Sequence, residues 1–394
     1  MNRVDLLVVG GGPGGAAMAA LAADAGKTTL VVERARFPRD KVCGEFLSAE
    51  GCRVLERLGL LQRLVDAGAS WVDRCRITHP AGPVLEQPLP ELGPCGREAL
   101  GISRRLLDSE LLRLAASRGA RVLQPWEAKR PILDEGRVRG MELRAVGGDR
   151  SQAVRAKLVI AADGRRSLLA RLLHPELGDP QQSDARSWFG FSVHLDPGGR
   201  PVPPRIDLHL FDGGYAGLGP VEGGRLELGL IVTVAALRAC GGSPERLYEE
   251  RLRANPYLRD AIGDAGISGS WKSIGPLRFG PRRAAAGGAL FVGDAAGTVD
   301  PFCGEGMANA LCGAELAFPY VRDAVAAGGL TDSLALDYER AWSDSFAAVT
   351  RRVRRLGRLL ERPRLARPVL QLLAAAGAPL ASRLIASTRT GRAL

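Results

Sequence analysis

The sequence predicts an α/β fold: a parallel sheet wrapped by helices, a mostly antiparallel β-sheet inserted into it, and helices at the C-terminal end. Three observations carry this. Short apolar runs rich in Val, Ile and Leu recur at Leu6–Val9, Leu30–Val32, Leu158–Ala161 and Leu290–Val292. Strands buried on both faces of a parallel sheet have this texture. Helical patterns lie between them, at Gly14–Ala25 and Leu106–Ala116, which implies βαβ units. Between residues 183 and 275 the period changes to two: Phe189, Phe191, Val193 and Leu195, then Ile206, Leu208 and Leu210, then Leu226, Leu228 and Leu230. That alternation predicts antiparallel strands with one face covered.

Composition sets the bounds. At 394 residues with 46% apolar and 25% charged residues, the chain is an ordinary globular one with room for two domains. The net charge of +11 comes almost wholly from arginine, and no basic run is interleaved with aromatics, which argues against a nucleic-acid groove. Cysteines 43, 52, 75, 95, 240, 303 and 312 are odd in number and form no C-x-x-C pair. Neither a zinc site nor a disulfide scaffold is expected, and a cytoplasmic setting fits. The N-terminal stretch reads as a strand broken by Gly and Pro rather than a signal peptide or membrane span.

Taken in order, the first strand runs into Gly10-x-Gly12-x-x-Gly15. Glycines there permit the tight turn, the approach of backbone to a pyrophosphate and close helix–strand packing. The helix that follows offers free N–H groups and a positive dipole end to phosphate. Glu33 closes the second strand eighteen residues after Gly15, where an acid can bind ribose hydroxyls. Strand, helix and acid in register predict a Rossmann-type dinucleotide site. Two further strand-to-helix segments follow: Val159 to Ser167 with Asp163-Gly164, and Leu290 to Gly306 with Gly293-Asp294, Pro301, Gly304 and Gly306.

Together these three segments resemble the glycine fingerprint, the DG motif and the GD motif of FAD-dependent flavoproteins built like para-hydroxybenzoate hydroxylase. The resemblance covers residues 1 to about 330. It implies that FAD is held by Gly10, Gly12, Pro13, Gly15, Glu33, Arg34, Arg39, Cys43, Gly44, Arg104, Asp163, Gly164, Asp294, Pro301, Gly304, Gly306 and Met307. Asp294 would accept from ribityl or ribose hydroxyls, and the helix opened by Gly304–Gly306 would face the pyrimidine side of the flavin ring. Arg104 competes with its neighbour Arg105 for the place near FAD.

The segment Phe37-Pro38-Arg39-Asp40-Lys41-Val42-Cys43-Gly44-Glu45-Phe46-Leu47 is similar to the geranylgeranyl reductase and flavin-dependent halogenase branch. The substrate-side motif of that branch is Tyr-x-Trp-x-Phe-Pro in reductases and Trp-x-Trp-x-Ile-Pro in halogenases. Here it reads Tyr215-Ala216-Gly217-Leu218-Gly219-Pro220. Both halogenase tryptophans are absent, which excludes halogenation. Gly217 and Gly219 replace the large residues of the reductase motif, which argues against prenyl-lipid reduction and predicts a roomier pocket unless neighbours fill it. Tyr215, Cys43 and Cys303 are the candidate catalytic residues. The two cysteines read either as a reactive or redox-sensitive pair or as small buried hydrophobes. Histidines 79, 174, 194 and 209 show no Ser-His-Asp or metal-ligand pattern. His194 and His209, opposite the apolar stripes, read either as a catalytic base or, in preference, as solvated or hydrogen-bonded strand residues.

The expected organisation is a discontinuous FAD-binding domain (1–75, 99–182 and 276–335), a substrate-binding domain (76–98 and 183–275) and a C-terminal helical segment (336–394). The leading reaction is NAD(P)H-dependent hydroxylation of an aromatic or polyketide-like substrate. The alternative is saturation of C=C bonds in an isoprenoid or other apolar substrate. A single GxGxxG unit means NADPH or NADH visits only transiently. A third reading is a flavin-binding protein with little turnover, docked on a membrane or carrier protein through the basic helix of Arg351, Arg352, Arg354, Arg355 and Arg358.

Overall fold

The computed structural model describes residues 3–80, 82, 84–89, 99–174, 187–360, 363–375, 383 and 387–389. Cys95 and the expected domain boundaries near residues 98 and 182 lie outside them.

The first sheet has the parallel centre that the apolar runs predict. Strand Arg3–Val9 pairs in parallel with Thr29–Val32 on one side and with Ser151–Ala161 on the other. Ala289–Phe291 extends the sheet beyond Ser151–Ala161, and Arg121–Leu123 extends it beyond Thr29–Val32. Helix Pro13–Asp24 packs on this sheet beside helices Arg104–Ser117 and Gly306–Ala326. The helix is alanine-rich and almost wholly buried, so small side chains set the close spacing. At Gly15 the closeness is obligatory, since a Cβ would fall 1.9 Å from the Gly10 carbonyl oxygen.

The second sheet has seven strands in the order 266–277, 188–196, 225–233, 214–221, 205–211, 74–78 and 84–88. All neighbours are antiparallel except Arg74–Thr78 with Arg205–Phe211. The strand Arg74–Thr78 straddles the boundary expected after residue 75.

One expectation is corrected here. Alternation predicted a sheet with one face covered, yet both faces are buried along much of 188–233. Phe191, Val193, Leu228 and Leu230 pack under the helical segments of 234–262, forming one core. The opposite face, carrying Ser192, His194 and Glu227, is buried as well. It lies against the loop around Gly44, where a Cβ on Gly229 would come 3.4 Å from the Gly44 Cα. Polar residues here mark a face packed against the loop around Gly44 and Glu45 rather than a solvated one.

Helices Ala348–Leu360 and Pro363–Ala375 close the C-terminal end. Leu370 and Leu373 join Leu208, Leu210 and Tyr215 in a small separate core. Arg351, Arg352, Arg355 and Arg358 are exposed, while Val353 is buried. Among the described residues no helix is long and apolar enough to cross a membrane.

Candidate active site

Helix Pro13–Asp24 begins at Gly12, which has no side-chain cap, so its first-turn N–H groups lack partners from a capping residue. Two guanidinium groups overhang this end. A Cβ on Gly12 would sit 3.9 Å from Arg104 Nη2 and 4.0 Å from Arg39 Nη2. Asp108 holds both: Arg104 Nε and Nη2 donate to its Oδ1 and Oδ2 at 2.8 and 2.7 Å, and Arg39 Nη2 lies 3.0 Å from Oδ2. Burial alone would weaken the charge on Arg104, but the Asp108 carboxylate outweighs it and raises the pKa. Arg39 Nη1 is buried without a hydrogen-bond partner among the described residues. An orphaned donor, two cations and a bare helix N-terminus converge on one small volume. That is the donor set a pyrophosphate requires, so the residues fit FAD.

The glycine motif divides its labour. Gly10 has φ +102°, and a Cβ there would lie 2.4 Å from the Ala162 carbonyl oxygen. Gly10 and Gly15 therefore serve packing, while Gly12 and Pro13 line the cavity. Glu33 is buried off the wall, its carboxylate accepting from the Gly11 and Ala35 N–H groups, each at 2.8 Å. Each oxygen keeps a second lone pair for a ribose hydroxyl. Arg34 is exposed and off the wall, and Arg39 reaches the site only through its guanidinium. Asp163 lies off the cavity wall. Its Oδ2 accepts from Leu168 N–H at 2.9 Å and closes the turn, leaving Gly164 on the wall. Of the competing pair, Arg104 is buried at the cavity, whereas Arg105 is half-exposed beside Asp40 at 3.6 Å.

One continuous cavity of about 320 Å³ runs from this end into the second sheet. Arg104, Gly164, Asp294 and the previously unassigned Lys41 and Arg165 bound its first part. A Cβ on Gly164 would come 3.5 Å from Lys41 Nζ. Burial pushes the Lys41 pKa down, and the charge of Arg104 adds to this while Asp294 opposes it. Cys43, Gly44, Pro301, Cys303, Gly304 and Gly306 line the middle, with Met307 beside them. The N-terminus of helix Gly306–Ala326 therefore faces the cavity. Its cap Glu305 is fully buried, pairs with Arg389 and accepts from Ser48 Oγ at 3.2 Å. Burial pushes the Glu305 carboxyl up to about 7.

Both cysteines share the wall, but burial pushes the Cys43 thiol up and that of Cys303 up to about 12. A thiol held protonated is a poor nucleophile. The structure thus favours small buried hydrophobes over a reactive pair. Tyr215 also lines the cavity, its hydroxyl donating to Asp300 Oδ1 at 3.2 Å and its ring edge-on to Phe302.

Beyond Tyr215 the cavity is largely apolar. Ile77, Leu208 and Ile231 come from the second sheet, and Leu356, Leu370 and Leu373 from the C-terminal helices. The two motif glycines behave differently. Gly217 lines the cavity, with nothing within 4 Å of a Cβ, so it opens space. At Gly219 the Ile206 Cδ1 would lie only 2.7 Å from a Cβ, so a neighbour has filled the gap.

Sequence reasoning missed one cluster entirely. His194 Nε2 lies 2.8 Å from Glu45 Oε2 and 3.2 Å from Glu227 Oε2, and all three residues are buried. Glu45 sits at φ +49°, an uncommon conformation for a residue with a side chain. Its Oε1 accepts from Arg104 N–H at 2.9 Å. The only signal in the sequence was a polar residue on each of two strands where the other face is apolar. His209 is also buried, its Nδ1 2.8 Å from Thr78 Oγ1, and burial pushes its pKa down to about 3.

With this geometry in place, comparison with known proteins is informative. The FAD binding domain family matches residues 3–315. A digeranylgeranylglycerophospholipid reductase of Methanoculleus marisnigri is 28% identical over 369 residues, covering 92% of this chain and 85% of the reductase. A menaquinone reductase of Mycolicibacterium smegmatis is 30% identical over 391 residues, covering 92% of this chain and 86% of its own. A geranylgeranyl bacteriochlorophyll reductase-like structure from Thermoplasma acidophilum superposes with a TM-score of 0.78 at 22% identity, covering 98% and 96% of the two chains. That last likeness speaks for the fold alone.

Proposed function

From the premise that the chain belongs to the FAD binding domain family and is an FAD-dependent oxidoreductase, we propose that it saturates a carbon–carbon double bond in a long apolar, isoprenoid-type substrate. The observation that carries this reading is the single cavity joining the pyrophosphate end to an apolar far end walled by Leu208, Ile231, Leu356, Leu370 and Leu373. A chain-like hydrocarbon fits such a wall, because dispersion and water exclusion are all it needs. Relatives named for reducing prenyl lipids and menaquinone support the same choice.

When bound, FAD supplies hydride transfer. The protein's part is to place and shield that chemistry. Arg39, Arg104 and the N-terminus of Pro13–Asp24 would hold the diphosphate, and Glu33 the adenosine ribose. Lys41 and the N-terminus of Gly306–Ala326 would stabilise negative charge gained on reduction. Tyr215 and Gly217 bound the space left for substrate. NADPH or NADH would act as a transient reductant, since only one glycine fingerprint is present.

The test is anaerobic turnover with chemically reduced protein and a geranylgeranyl lipid or menaquinone, followed by product mass. A gain of hydrogen without oxygen supports the reading. Incorporation of an oxygen atom in air, with no reduction under argon, would return the choice to hydroxylation.

A further inference from the structure

The geometry points to the buried Glu45–His194–Glu227 cluster as a proton store that loads when the bound flavin is reduced and feeds its proton back to the cavity. The proposal rests on the double-bond reduction above. Saturating an alkene adds a hydride to one carbon and a proton to the other, so a proton donor must stand at the wall of this largely apolar cavity.

Four observations assemble the store. The three side chains come from the loop after Gly44 and from neighbouring strands of the second sheet, where His194 and Glu227 are direct cross-strand partners. One imidazole nitrogen faces both carboxylates at 2.8 and 3.2 Å, which makes Nε2 the hydrogen carrier between them. Glu45 itself lines the cavity. Glu227 is buried between His194 and the Ser192 hydroxyl, and burial of a carboxyl beside a second one favours a proton shared between them.

The surroundings give the cluster two ends. At the cavity end, Arg104 presents its backbone N–H to Glu45 while its guanidinium is committed to Asp108. At the outer end, Lys272 is paired across from Ser192 and lies 3.8 Å from Asp40, with side chains 29% and 31% exposed. Burial, reinforced by the charge of Glu45, keeps the Glu227 carboxyl well above its ordinary range, against the Ser192 hydroxyl and Lys272. Negative charge arriving in the cavity on reduction raises the proton affinity of the cluster.

The step balances. The O–H bond of the store breaks, its electron pair stays on the carboxylate, and the proton forms the second new C–H bond. Solvent refills the store past Lys272 and Asp40 through Glu227 and His194.

The test uses FAD-loaded protein reduced by dithionite without substrate, so its failure is separate from any failure of the double-bond reading. Reduced-minus-oxidised infrared spectra in H2O and D2O should show carboxyl bands that respond to reduction, and an indicator dye should count the accompanying proton uptake. Glu227→Gln should lose these bands and part of the uptake, and Glu227→Asp should restore them. His194→Gln provides a second variant should the first not fold. Wild-type spectra without any responding carboxyl band would overturn the proposal, as would variants indistinguishable from wild type. A stoichiometric divalent metal in the purified protein would overturn it as well, by assigning the three ligands to a cation.

Discussion

Asp108 grips two arginines at once: Oδ2 receives Arg104 Nη2 at 2.7 Å and lies 3.0 Å from Arg39 Nη2. The arginines come from different segments, a loop after the second strand and the first turn of Arg104–Ser117. One buried carboxylate therefore assembles a double cation over Gly12.

Removing that carboxylate should separate folding from cofactor binding only partly. Asp108→Ala leaves the buried Arg104 without its partner, and breaking a buried pair this way costs about 3–5 kcal/mol. FAD supplies counter-charge, so the apo-protein should suffer more than the FAD-saturated form. Melting curves with and without FAD check this. Equal losses in both would show that Asp108 does not organise the pyrophosphate site.

Two glycines of one motif should fail in opposite ways. Gly15→Ala drives a Cβ into the Gly10 carbonyl at 1.9 Å, and backbone cannot yield cheaply. A loss of about 1–3 kcal/mol in the apo-protein is expected. Gly12→Ala meets nothing closer than 3.9 Å, so apo stability should drop by less than about 1 kcal/mol. Its methyl group would nevertheless occupy the anion cradle. Denaturant midpoints and FAD titration together distinguish the two.

His209 should make the fold acid-sensitive. Its pKa is pushed down to about 3 by burial, with Arg76 and Arg205 adding to the effect. The unfolded chain binds a proton near pH 6.5 that the folded one refuses. Stability from this group is thus complete above pH 6.5 and falls as pH drops toward 3, by about 1.4 kcal/mol per unit at most. His209→Gln should flatten the stability–pH curve between pH 4 and 6, measured by urea unfolding. An unchanged slope would mean the ring is charged in the fold.

Filling the space above Gly217 should shorten the substrate that fits. A Cβ there meets nothing within 4 Å, so Gly217→Trp should fold and take up FAD normally. The KM for a long prenyl chain should rise at least about tenfold, on the order of 1.4 kcal/mol, with less effect on a short one. Comparable losses for both chain lengths would place Gly217 away from the substrate.

Neither cavity cysteine should react readily. With the Cys303 thiol pushed up to about 12 and Cys43 raised as well, thiolate is scarce near pH 7.5. Iodoacetamide should label neither within an hour in the folded protein, as read by peptide mass. Rapid labelling of either, or a disulfide between them, would revive a redox role.

Local pattern alone determined a good deal. The apolar runs around Leu6–Val9, Leu30–Val32 and Leu158–Ala161 became the parallel centre, and the Gly10–Gly15 turn became the helix start against it. These signals are legible because strand burial and turn geometry are set by residues within a few positions of one another. The period-two stretch likewise announced its antiparallel strands, but not what covers them.

Tertiary structure decided the rest. It brought Arg39, from the loop after the second strand, onto Asp108 beside Arg104, and left Arg105 half-exposed beside Asp40. It let Ile206 fill the space at Gly219 while leaving Gly217 open. It carried Leu356, Leu370 and Leu373 from the C-terminal helices onto the wall of the cavity. It also joined Glu45 to His194, 149 residues apart, and to Glu227 on the next strand. The physical reason is common to all of these. Periodicity records which face of an element is apolar, whereas the partner pressed against the other face is set by how separate elements pack, which no local spacing encodes.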